Sequence, residues 1–144
     1  MRRILVVAHK TLGGQHLLEE VGRRMKSGEC HVHVVVPINH PWGAFTESTC
    51  HAEAEKVLEE GMRRIRDLDK TGAVDVTGET GDANPAYAVE VVKNRGETFD
   101  EIIVSTLAKG ASLWLKGDVV KKVGRVYAGV PVVHLLGERE PALA

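Results

Sequence analysis

The chain has 144 residues, 43% of them hydrophobic, 27% charged and 4% aromatic, enough for one domain around a single core and too few for two. Such a composition excludes disorder as the main description, and with so few rings the core must be built from Val, Leu, Ile and Ala. Nineteen basic against twenty acidic residues leave a formal net charge of -1, which argues against a nucleic-acid partner held by a global positive field.

No apolar stretch approaches the ~18 residues of a membrane span. Met1-Arg2-Arg3 runs straight into Ile4-Leu5-Val6-Val7-Ala8 without a cleavage signal, so a cytoplasmic location is expected. Cys30 and Cys50 stand outside any C-x-x-C spacing, which argues against a disulfide framework or a redox motif and predicts two free, buried thiols.

Taken in chain order, Ile4 to Ala8 is a continuous apolar run closed by His9-Lys10-Thr11-Leu12-Gly13-Gly14, a strand buried on both faces and followed by a turn. Leu17, Leu18, Val21 and Met25 then recur at helical spacing opposite Glu19, Glu20, Arg23 and Arg24, and Lys26-Ser27-Gly28 ends that helix. His31 to Pro37 is β-branched and stopped by proline, hence a second strand. Residues Ile38 to Thr49 carry no steady period and read as a loop. From about Cys50 to Asp69, the stripe Ala54, Val57, Leu58, Met62, Ile65 and Leu68 predicts a long amphipathic helix.

A third strand fits Ala73 to Gly78. Gly81-Asp82-Ala83-Asn84-Pro85 reads as a turn into a helix, with Asn84 as N-cap, Pro85 at the first helical position, and Ala88, Val89 and Val92 as its buried face. A fourth strand, Glu101 to Ser105, leads into a polar loop from Thr106 to Ser112, a last helix from about Asp118 to Tyr127, and a fifth strand, Val130 to Leu136. The domain thus spans residues 1–137, with a frayed tail at 138–144.

Strands alternating with crossover helices define an α/β class: a Rossmann-like three-layer sandwich with a five-stranded, mostly parallel sheet. Ligands of such sheets bind outside the carboxyl ends of the strands, where strand order reverses. That draws attention to His9–Gly14, Pro37–Ser48, Gly78–Pro85 and Ser105–Asp118.

The order of motifs resembles the universal stress protein family over nearly the whole chain. The resemblance rests on Ile4-Leu5-Val6-Val7-Ala8-His9, on Gly78 to Pro85 before the third helix, and above all on Phe99-Asp100-Glu101-Ile102-Ile103-Val104 followed by a glycine-bearing loop, a helix and Gly129-Val130-Pro131-Val132-Val133-His134. It implies an adenine-nucleotide-alpha-hydrolase-like fold and a dimer made through the last strand. In ATP-binding members a G-x-x-G, nine-residue, G-[ST] pattern after the fourth strand wraps the phosphates. Here Ser105 and Ala108 occupy the two early glycine positions, the spacer to Gly117 is one residue short, and Asp118 stands where a Ser or Thr would donate to phosphate. A carboxylate there caps a helix but repels an anion from the same amides. His9 stands where those members carry an acidic residue. The branch implied has a degraded ATP loop.

The residues that would line the ligand pocket are His9, Thr11, Gly13, Ser105, Thr106, Lys109, Gly110, Ser112, Gly117 and Asp118. Lys109, Lys116, Lys121 and Lys122 supply positive charge for an anion or form a solvated face; Trp114 is read as packing. His31 and His33 alternate on one strand face and make a metal pair geometrically open, with His40 or His51 as further ligands, but no Cys/His cluster has a complete spacing and no metal is expected. His134 is read as packed or interfacial. Neither a G-x-S-x-G elbow nor G-x-G-x-x-G follows a strand, so an enzyme is not expected.

The reading is a stress-associated regulatory binding module with weak or lost ATP binding, working as a homodimer through Val130, Val132, Val133 and Leu135, whose apolar edge invites pairing. No nucleic-acid or membrane partner is expected. Two alternatives stand beside it: an ATP or AMP sensor or slow ATPase using magnesium and the lysines, and an interaction protein docking an unidentified partner through Trp42 and Phe45.

Overall fold

The computed structural model describes residues 2–9, 12, 14–38, 47–69, 72, 74–107 and 118–137. Strands β1 (Arg2–Val7), β2 (Cys30–Pro37), β3 (Val74–Gly81), β4 (Glu101–Leu107) and β5 (Val132–Gly137) form one sheet in the order β3-β2-β1-β4-β5, and every pairing is parallel. The chain steps outward from β1 to β3, returns to the other side of β1 as β4, and continues to β5. Strand order therefore reverses between β1 and β4, where the two strands run side by side with Val7 opposite Val104.

Helices cover both faces, which is why the central strands read as unbroken apolar runs. On one face α1 (Gln15–Met25) and α2 (Glu47–Leu68) bring Leu17, Val21, Ala54 and Ile65 onto Ile4, Val6, Val32, Val34 and Val36. On the other, α3 (Pro85–Asn94) and α4 (Val119–Val126) bring Ala88, Val89, Val92, Val119 and Val123 onto Leu5, Val7, Val35, Ile102 and Val104. Alternate residues of each strand thus serve opposite layers, giving the three-layer α/β sandwich that the sequence predicts. Asn84 caps α3 as expected, its Oδ1 accepting from the Ala86 and Tyr87 amides at 3.1 and 3.3 Å, with Pro85 at the start. Cys30 and Cys50 are both free and buried. Among the described residues no helix is long and apolar enough to cross a membrane.

The structure moves several boundaries. β3 continues past Gly78 to Gly81 because both glycines are places of close approach rather than breaks: a Cβ on Gly78 would meet Leu58 and Met62 of α2 at 2.7 Å, and one on Gly81 would meet Ala88 of α3 at 2.7 Å. α2 begins at Glu47, inside the segment read as loop, because its first turn precedes the apolar stripe that marks it in the sequence. Thr106 belongs to β4 rather than to the following loop, paired with Leu136. β5 begins at Val132, since Gly129 turns the chain at φ 90° and the Val130 amide donates to the Tyr127 carbonyl at 3.1 Å.

Candidate functional site

The reversal of strand order places the end of β1 beside the end of β4. His9 follows Val7 by two positions and is buried; Ser105 and Thr106 close β4 and are buried as well. The Ala8 amide donates to the Val35 carbonyl at 3.2 Å and the Leu12 amide to the His9 carbonyl at 3.1 Å, so the chain leaving β1 turns back at once. That turn is anchored by Leu12, which is fully buried. Thr106 Oγ1 shares a hydrogen bond of 2.7 Å with His134 Nε2, which links β4 to β5.

Asp118 precedes α4 with φ 57° and ψ 41°, the left-handed region, and its carbonyl accepts the first helical bond, from the Lys122 amide at 3.1 Å. The carboxylate makes no capping hydrogen bond, unlike the expectation drawn from its position. The reason is conformational, because a capping side chain needs an extended backbone at that residue to reach the amides ahead of it. Asp118 is exposed and keeps its charge uncommitted to the helix. Thus four of the sequence-predicted pocket residues, His9, Ser105, Thr106 and Asp118, are placed. Thr11, Gly13, Lys109, Gly110, Ser112 and Gly117 lie outside the described residues, as do Trp42, Phe45, Trp114, His40, Lys116 and the tail 138–144.

A second polar cluster lies under the C-terminal end of α3, on the face shared with α4. His31 Nε2 and His33 Nδ1 both reach Thr77 Oγ1, at 2.8 and 2.7 Å, and His33 Nε2 faces Glu79 Oε2 at 2.8 Å. Arg95 clamps Glu79 through both guanidinium nitrogens and also reaches Glu97 at 2.8 Å. The His33 ring stacks on Phe99, with centroids 6.2 Å apart, and the Arg3 guanidinium lies 5.3 Å from the centroid of the same Phe99 ring. His31 has Asp75 Oδ2 at 3.2 Å from Nδ1. Burial pushes the His31 imidazole below its ordinary value, with Asp75 pulling the other way. Burial also disfavours charge on Glu79, but the Arg95 and His33 hydrogen bonds outweigh it and hold that carboxyl below the usual range.

The His-x-His spacing is the only trace of this cluster in the sequence. His51, weighed as a companion, instead bonds Glu55 one turn along α2 at 3.1 Å. The residues actually set against His33, namely Thr77, Glu79 and Glu97, arrive from β3 and from the segment before β4.

Sheet order and helix layers together define a doubly wound α/β domain whose strand order reverses between the first and fourth strands. Neither a protein-family profile nor a curated protein sequence matches the chain. Solved structures do. A universal stress protein from Archaeoglobus fulgidus superposes with a TM-score of 0.55 at 18% identity, over 93% of each chain. A universal stress protein in complex with cAMP gives 0.54 at 13% identity, over 94% of this chain and 97% of that one. A universal stress protein family protein from Arabidopsis thaliana with AMP bound gives 0.53 at 12% identity, over 99% and 95%. At such identities the likeness is one of fold, and the fold is that of the universal stress proteins.

Proposed function

We propose that this chain is a universal-stress-protein-type regulatory module that acts by binding, whose crevice between β1 and β4 takes an adenine mononucleotide in preference to magnesium ATP. The observation that carries this is Asp118. It stands at the position where the resemblance calls for a phosphate-donating hydroxyl, and because its carboxylate is not consumed in capping α4 its charge remains there to oppose a polyphosphate. The neighbours bound to cAMP and AMP support an adenine nucleotide as the ligand class. The test is calorimetric titration with AMP, cAMP and magnesium ATP on the parent and on Asp118→Ser. AMP should bind tighter than about 100 μM, roughly -5.5 kcal/mol. ATP should gain on the parent only in the variant. ATP binding as tight as AMP in the parent, with no response to the substitution, would refute the reading.

We further propose a homodimer through β5. This strand ends the sheet order, so one backbone edge faces outward among the described residues, while Val130, Val132, Val133 and Leu135 are only partly buried and Leu136 is 49% exposed. Sedimentation at micromolar concentration should give twice the monomer mass, and a pure monomer would refute the dimer.

A further inference from the structure

The second cluster is continuous. Asp75, His31, Thr77, His33 and Glu79 form a line of four polar contacts, at 3.2, 2.8, 2.7 and 2.8 Å, whose two ends are carboxylates that can only accept. With both imidazoles neutral, two ring N–H groups and one hydroxyl would bring three protons to the four contacts. The line is then completed either by a second proton on one ring or by a metal cation at one of its ends.

We infer that His33, Glu79 and Glu97 form a binding site for a divalent first-row transition ion of the Zn2+ class, on the α3–α4 face and separate from the nucleotide crevice. His33 Nε2 and one oxygen of each carboxylate lie within 4.8 Å of one another, close enough to converge on one ion by small side-chain rotations. An imidazole with two carboxylates suits zinc and its neighbours, and three protein ligands leave a coordination position open. With a metal on Nε2, the line is completed with the protons it has. His33 Nδ1–H donates to Thr77, Thr77 O–H donates to His31 Nε2, and His31 Nδ1–H points to Asp75. Thr77 thereby fixes the tautomer that presents a lone pair to the ion, the usual task of a partner behind a histidine ligand.

The surroundings suit the purpose. The His33 side chain is 8% exposed and is held against Phe99, so the first ligand is prepositioned, while Glu79 and Glu97 are 25% and 30% exposed and leave a path from solvent. Arg95 already brings those two carboxylates together and is itself 47% exposed. An ion pair with so exposed a partner is weak, and Arg95 can swing into water when a metal arrives. It serves as a stand-in cation that the metal displaces.

The test is titration of the full chain with Zn2+ in a non-chelating buffer by calorimetry, with Co2+ absorption as a report on the ligands. The parent should bind one equivalent tighter than about 100 μM. His33→Gln and Glu97→Gln should each abolish that binding, Thr77→Val should weaken it about tenfold, and Arg95→Gln should strengthen it. Thermal melts establish which variants fold; should His33→Gln fail, the half-exposed Glu97 and Arg95 positions decide the matter. Zinc binding that Glu97→Gln leaves intact and Arg95→Gln does not improve, or no binding by the parent up to about 100 μM, would overturn the proposal.

Discussion

Arg24 of α1 meets Glu101 at the start of β4 in a two-pronged contact, Nε to Oε1 at 2.6 Å and Nη2 to Oε2 at 2.8 Å, across 77 positions of sequence. Both side chains are nearly buried, 13% and 9% exposed, and Arg2 adds a third contact to Glu101 at 3.2 Å. Glu20 holds the other side of the Arg24 guanidinium at 2.7 Å. The network ties the first crossover helix to the central pair of strands at the amino end of the sheet. A carboxylate so deep survives only because paired hydrogen bonds replace the water it has lost.

Removing the cation alone should therefore cost more than a surface ion pair. Arg24→Met should lower stability by about 3 kcal/mol, the cost of leaving a buried partner without its main compensation, with Arg2 limiting the loss. Urea unfolding measures this. A change under about 0.5 kcal/mol would mean that Glu101 is solvated in solution.

Acid should undo the same network. Arg24 hydrogen bonds hold the Glu101 carboxyl below its usual range against the effect of burial, and they do the same for Glu20. A depressed carboxylate contributes stability that is complete above the unfolded value near ~4.3 and is lost as pH falls through the folded value. Melting temperature should be flat from about pH 7 to 5.5 and fall below about pH 4.5, and less steeply in Arg24→Met. A melting temperature that rises between about pH 5 and 3 would contradict this assignment.

Gly61 tests the anchoring of the turn after β1. A glycine in mid-helix normally costs about 1 kcal/mol against alanine. Here, however, a Cβ would lie 2.3 Å from Leu12 Cγ and Cδ2, and Leu12 is fully buried. Overpacking of this sort costs about 1–3 kcal/mol and outweighs the propensity gain. Gly61→Ala should destabilise by about 1 kcal/mol in urea unfolding. A more stable variant would show that the contact is loose.

Asp118 pays for its left-handed backbone, and glycine would not. Asp118→Gly should raise stability by about 0.5 kcal/mol in urea unfolding, at the low end of the usual range because aspartate tolerates this conformation better than most residues. A loss instead would imply a stabilising role for the carboxylate.

Much of the fold was legible in the chain because its signals are local. The β-branched runs Ile4–Val7 and Val32–Val36, the stripe from Ala54 to Leu68 and the Asn84-Pro85 cap each carry their own periodicity or backbone preference. Where local signals misled, tertiary contact was the competing influence. Gly78 and Gly81 look like strand breakers until α2 and α3 are packed on them, and Thr106 looks like loop until β5 pairs beside it.

Sites were less legible than elements. The sheet order follows from alternation of strands and helices, since the right-handed crossover rule leaves few orders, and His9, Ser105 and Thr106 lie toward the carboxyl ends of β1 and β4 where that order reverses. The His33 cluster could not be found that way. His33 and Glu79 are 46 positions apart, and nothing in either segment announces the other.

By itself, then, the sequence determined the class of fold and its layers, because hydrophobic period and turn chemistry act over a few residues. Only the tertiary structure decided which polar groups meet: Arg24 with Glu101, His33 with Glu79, and Asp118 with no cap at all. Electrostatic partners are chosen by distance in space, and at these separations along the chain that distance exists only once the core has closed.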